Sequence, residues 1–302
     1  MTTIKDPTAM TALTQAEASD LFRAEPSEYI DVGGAQVAYR SVGSGPDVLF
    51  VHGWPVSGAT FRLLLPYLAP HVTCHLIDLP GAGSSRFDAD SPLSVDHHID
   101  SVKRVIDHLA VDKISLVGHN SGGMVSRHAT IGDPRLRGLG LINTEPPEPG
   151  RRFSTFVGAR HLPGFQSVFG WLAGQQRVRR IGLALGDLFA DSALLDGEFD
   201  EFFLTPLNTN DELLAASFKV LKSFDMDKHV HHLASVHRQI DVPVQLVWGD
   251  QDPFFPIQQA RDMVSTFANA ELAEIKGAGL FSHEENPAAV AAALLPTLTG
   301  TR

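Results

Sequence analysis

Short apolar runs recur at residues 48–51, 74–77, 114–117, 139–142 and 244–248, and helical patterns fill much of the space between them. A run that is apolar at consecutive positions is what a strand covered on both faces requires. The stretches 61–68, 95–109 and 124–131 read as helices. Strands alternating with helices fold through right-handed crossovers onto a mostly parallel sheet, so the pattern predicts an α/β protein. A hairpin opens the fold, with strands at 29–32 and 36–40 around Gly33-Gly34. The alternation then stops at Pro146-Pro147-Glu148-Pro149-Gly150, where three prolines and a glycine end any regular element. It resumes at Val242-Pro243-Val244. Residues 147–238, with helical stretches at 168–172, 178–185 and 211–224, read as a helical cap over a core built from 1–146 and 239–302.

Composition narrows the function. The chain has 302 residues and a net charge of −11, which argues against nucleic acid as a partner because phosphate binding needs clustered cations. A small-molecule substrate is the expected partner, and self-association as a homodimer stays open. The single cysteine, Cys74, lies in an apolar run and reads as a buried, inert thiol. No apolar run approaches the ~20 residues that span a bilayer, and the first 28 residues lack the basic start and apolar stretch of a signal peptide. A cytoplasmic protein without a membrane partner is expected. His229 and His232 share a helical face, but no paired ligand motif accompanies them, so neither a metal site nor any other cofactor is expected. Arg177, Arg179 and Arg180 read as a solvated face of the cap.

The most informative stretch is Val117-Gly118-His119-Asn120-Ser121-Gly122-Gly123-Met124. An apolar strand runs through a glycine-rich turn directly into a helix. Such a turn strains its central residue and pushes it out over the carboxyl edge of the sheet, at a helix N-terminus that favours negative charge. Together with four further motifs, this stretch resembles the α/β-hydrolase superfamily over about residues 28–298. His52-Gly53-Trp54-Pro55 is similar to the oxyanion loop of the epoxide hydrolase and haloalkane dehalogenase branch. Asp78-Leu79-Pro80-Gly81-Ala82-Gly83-Ser84-Ser85 resembles the loop after the next strand. Gly249-Asp250-Gln251-Asp252 resembles the segment that carries the triad acid, and residues 277–287 resemble the histidine loop.

The resemblance implies a cofactor-free hydrolase with Asn120 at the nucleophile position, where the family carries Ser, Cys or Asp. A carboxamide is a poor nucleophile. Three readings follow: an inactivated Asp form, an enzyme that needs no covalent step (a lyase, isomerase or cyclase), or a ligand-binding member without turnover. Trp54 and Ser121 are expected to offer backbone N–H groups to an oxyanion. The Ser121 hydroxyl reads as a helix cap rather than a shifted nucleophile. Leu280 occupies the family's histidine position, and His283, one helical turn on, is expected to take over its role, oriented by Asp252. Glu145 is the alternative acid. Trp54 and Trp171 are candidate N–H donors to a substrate. The three tyrosines, Tyr29, Tyr39 and Tyr67, all precede the cap, so the phenols that such epoxide hydrolases use as proton donors are missing there. Cap phenylalanines, among them Phe153, Phe156, Phe165, Phe169 and Phe189, suggest an apolar pocket.

Overall fold

The computed structural model describes residues 13–301. Eight strands, β1 (Glu28–Asp31), β2 (Gln36–Gly43), β3 (Asp47–Val51), β4 (Thr73–Asp78), β5 (Ile114–His119), β6 (Leu136–Ile142), β7 (Val244–Gly249) and β8 (Ala270–Ile275), form one sheet. Its spatial order is β1-β2-β4-β3-β5-β6-β7-β8. The β1–β2 and β2–β4 pairs are antiparallel and every later pair is parallel. The five apolar runs fall in β3 to β7, and every residue of β5 and β7 is buried. The hairpin between β1 and β2 turns through Gly33 and Gly34 at positive φ.

Four elements outside the cap escaped the pattern reading, two of them the helices Ile257–Val264 and Pro287–Thr299. The helix Gln15–Arg23 is polar throughout much of its length, and β8 is a partly buried edge strand with only Ile275 fully covered. Periodicity is weak in both places because little of either element is packed against the core.

Between β6 and β7 the described chain forms no strand. It builds helices at Arg151–Ala159, Phe165–Gly174, Gln176–Arg179, Thr205–Thr209, Asp211–Lys222 and Leu233–His237, joined by shorter turns. The stretch 178–185, read as one helix, is instead the end of a four-residue helix followed by a π turn over Gly182–Gly186. Gly182 and Gly186 lower helix propensity there, so the segment does not continue as α-helix.

The helix Val95–Leu109 begins at Ser94, whose hydroxyl accepts the His97 N–H at 3.1 Å. Replacing Ser94 with Ala removes this cap. It should lower stability by about 1 kcal/mol, read as an earlier midpoint in urea denaturation.

Candidate active site

The turn from β5 into the helix Ser121–Ala129 places Asn120 at φ 51°, ψ −134°. A non-glycine residue in this region costs about 1–3 kcal/mol and persists only where its surroundings enforce it. The enforcement is close packing. A Cβ on Gly122 would lie 2.1 Å from the Val51 carbonyl oxygen, and one on Gly118 would lie 2.5 Å from the Gly123 Cα. The turn can therefore pass beneath β3 only with glycine at these positions, and Asn120 is lifted into a chamber between the sheet and the helices that follow β6.

This chamber measures about 1040 Å³. Asn120, Ser121, Trp54, Glu145 and Leu280 line it near the turn, and Phe153, Phe156, Phe165 and Phe169 line it from the cap. Phe189 packs beside it against Phe281 and Phe199. The Trp54 ring stands among Phe156, Phe169 and Phe218 at centroid distances of 5.6, 5.1 and 5.6 Å. The site is large enough for a bulky apolar ligand.

Several expected roles change on contact with the geometry. The Ser121 hydroxyl does not cap the helix, because Asn120 is itself the N-cap and makes no side-chain cap bond. It instead accepts the Trp54 backbone N–H at 3.0 Å, occupying one of the two donors expected for an oxyanion. The Trp54 indole donates to the Ser217 carbonyl at 3.0 Å, so this N–H is engaged within the protein rather than free for substrate. Trp171 is 55% exposed and does not line the chamber.

The expected pairing of His283 with Asp252 is not made. His283 is fully buried, with Nε2 against the Thr60 hydroxyl at 2.8 Å and Nδ1 without a partner. Its ring lies 4.4 Å from that of His119 and 5.6 Å from Phe61, and it does not line the chamber. The helical turn begins only at Ser282, after the cap residue Phe281, so Leu280 and His283 do not share a helix face. Leu280 is held by its N–H on the Leu188 carbonyl at 2.9 Å and lines the chamber in place of an imidazole. Asp252 accepts from Asn143 Nδ2 and from the N–H groups of Phe254 and Phe255, at 2.8 to 3.0 Å. Burial pushes its carboxyl up to about 7 against these three donors. Asp252 braces the loop after β7.

Glu145, the alternative acid, has a different setting. It is buried, lines the chamber, and its Oε2 lies 2.9 Å from the Thr144 hydroxyl. The same hydroxyl lies 2.8 Å from the backbone carbonyl of Asn120 and receives Arg127 Nη2 at 2.9 Å. A hydroxyl has one proton to give. If that proton goes to Asn120, only a protonated Glu145 completes the network, by donating back to Thr144. Burial raises the Glu145 pKa above the ordinary carboxylate value, with Arg127 opposing the shift. Desolvation thus favours the neutral carboxyl here more than at an exposed glutamate, and the Thr144 hydroxyl can accommodate it by turning its own proton to Asn120.

Arg127 reaches this network from the far side. It also donates to the Glu145 carbonyl at 2.8 Å and to His237 Nε2 at 3.0 Å. Neither Thr144 nor Arg127 announces itself in sequence, because each acts through partners distant along the chain. His98 was also missed. It lines the chamber with Nε2 on the Pro80 carbonyl at 2.8 Å, and burial holds it neutral, with a pKa of about 3.

Among the described residues no three His, Cys, Asp or Glu side chains converge as metal ligands. His229 uses its nitrogens on Asp96 and the Asp225 N–H. No helix of the described residues is long and apolar enough to cross a membrane.

The buried histidines set a pH dependence. Burial lowers His119 to about 3, His237 to about 2 and His283 well below its ordinary value. Groups with depressed folded pKa values bind more protons when unfolded. The histidines' share of stability should therefore be fully present above pH ~6.5 and decline as pH falls toward 3, by about 2 kcal/mol per histidine at pH 5. These histidines outnumber the opposite contribution of the raised Asp252 carboxyl. Urea denaturation at pH 7.5 and pH 5 would test this, and equal midpoints would refute it.

A sequence model described as the alpha/beta hydrolase fold matches residues 46–287. The chain belongs to this family. It is 23% identical to an uncharacterized hydrolase, YugF, of Bacillus subtilis over 238 residues, 78% of this chain and 84% of that protein. A pimeloyl-[acyl-carrier protein] methyl ester esterase of Xanthomonas campestris pv. campestris is 35% identical over 105 residues, 35% of this chain and 39% of the esterase's length. The fold also resembles that of a putative ancestral haloalkane dehalogenase, AncHLD2, with a TM-score of 0.75 at 20% identity, covering 90% of this chain and 98% of the dehalogenase.

Proposed function

We propose that this hydrolase-fold enzyme acts on a bulky, largely apolar small molecule without forming a covalent intermediate. The observation that carries the reading is the Asn120–Thr144–Glu145 linkage at the chamber wall, beside Leu280 where the family carries its histidine. Neutral Glu145 supplies a proton to a substrate oxygen, such as that of an epoxide, as the carbon–oxygen bond opens. The Asn120 carboxamide orients the incoming water or substrate hydroxyl. As that oxygen bonds to carbon it loses a proton, which returns to the Glu145 carboxylate and restores the starting state. Glu145 thereby fills the place of the absent cap tyrosines. The chamber contributes binding and exclusion of water.

The reading spans hydrolysis of an epoxide by water and cyclisation by an internal hydroxyl, which differ only in the nucleophile. Its test is turnover of a panel of apolar epoxides, hydroxy-epoxides, esters and haloalkanes, followed by mass spectrometry. Product without any adduct on the protein supports the proposal. Tight binding of panel members without product would favour the ligand-binding reading. Turnover through an adduct on Asn120 or Ser121 would overturn the non-covalent route.

A further inference from the structure

The cap segment carries a charge pattern that the reaction does not use. Between residues 149 and 186 the sequence contains six arginines and no Asp or Glu, in a chain of net charge −11. Some of these cations are satisfied from outside the segment. Arg152 meets Asp187, Arg179 meets Asp196 and Asp200, and Arg180 meets Asp196. Arg151 and Arg177 are exposed and have no carboxylate partner among the described residues.

Within this segment, Phe165–Gly174 turns an uncharged stripe to solvent. Gly164, Ser167, Val168 and Trp171 are exposed, with Val168 at 59% and Trp171 at 55%. Leu162 just before the helix is 61% exposed, and Ile181 after it is 55% exposed. Val168 and Arg151 are exposed and also line the chamber, which places the stripe at the chamber mouth. Among the described residues, most of the large apolar side chains standing in solvent therefore fall in one short, acid-free segment.

We propose that this segment docks on an anionic lipid surface, with Trp171 and Val168 seated at the headgroup boundary and Arg151 and Arg177 facing lipid phosphates. An exposed apolar stripe flanked by cations is what binds a helix in the plane of a membrane interface, and tryptophan favours that depth. Charge complementarity selects the occupant. A second copy of this chain related by a two-fold axis would bring Arg151 and Arg177 against their own kind, whereas an anionic bilayer attracts them. The chamber mouth would then open onto the phase in which an apolar ligand is concentrated. This peripheral contact departs from the expectation of no membrane partner, which followed from the lack of a spanning apolar run and says nothing of surface docking. The contact is independent of the chemistry, and its test uses no substrate.

The test is co-sedimentation of the full chain with vesicles of equal parts phosphatidylcholine and phosphatidylglycerol, beside vesicles of phosphatidylcholine alone. Binding to the anionic vesicles at low salt, with release at high salt and a blue shift in tryptophan emission, is expected. The shift reports Trp171, since Trp248 is fully buried and Trp54 stands within the chamber wall. R151Q/R177Q should weaken partitioning about thirtyfold, because each cation near such a surface contributes about a fivefold step. W171S should abolish the blue shift and weaken binding while leaving the melting temperature in place. Absence of binding at low salt would overturn the proposal, as would equal binding by both variants. A concentration-dependent dimer that W171S dissolves, without vesicle binding, would overturn it in favour of self-association.

Discussion

Replacing Glu145 with Gln should lower turnover on any substrate found in the panel by about 10²–10⁴-fold, the usual contribution of a positioned general acid. Gln keeps the shape of the side chain and can still meet the Thr144 hydroxyl, but it has no proton of suitable acidity to transfer. The expected loss lies in kcat, with KM little changed, because the apolar chamber that binds substrate is untouched. A pH profile separates this role from a structural one. Glu145 has a raised pKa, so its protonated form persists to higher pH than an ordinary carboxyl's and is lost as pH rises through that value. Activity should fall over the same range in the wild type and become flat there in Glu145→Gln. A variant with near-normal turnover would refute the assignment.

The second large effect concerns Asn120. Asn120→Asp should react once with an apolar epoxide such as styrene oxide and then stall. The new carboxylate can attack carbon and form an ester, with Glu145 protonating the epoxide oxygen. Hydrolysis of that ester calls for a base to activate water, and the family's position for it holds Leu280. His283 cannot serve, being buried beneath the turn with Nε2 on Thr60 and no link to Asp252. Intact-mass measurement should show one adduct per chain, with diol release slower than in a histidine-bearing enzyme by the 10²–10⁴-fold that a general base contributes. Adding Leu280→His should speed release. Steady multiple turnover by Asn120→Asp alone would show that some imidazole reaches the site after all, and would return the covalent mechanism to the centre.

These expectations depend on features of unequal visibility in the sequence. The turn was legible because its causes are local. Gly118, Gly122 and Gly123 bracket Asn120 within six residues, and the steric demand that selects them acts over that same distance. The parallel sheet was legible for a related reason, since double-sided burial makes β3 through β7 mostly apolar. The edge strand β8 and the helix Gln15–Arg23 lacked that imprint because each is only partly covered.

The partners of the site were another matter. By itself the sequence determined the class of fold, the position of Asn120 and the apolar character of the chamber, because each follows from local steric fit or from hydrophobic periodicity. Only the tertiary structure decided which acid stands at the site. Asp252 and Glu145 follow neighbouring strands and the sequence favours Asp252, yet Asp252 is consumed by Asn143 and its own loop while Glu145 faces the chamber. The structure likewise decided that His283 packs beneath the turn, since a helical turn that starts at Ser282 and not at Leu280 redirects the side chain. Hydrogen-bond saturation and side-chain direction depend on groups more than a hundred residues apart, as with Asn143 and Asp252, and spacing within one segment cannot encode them.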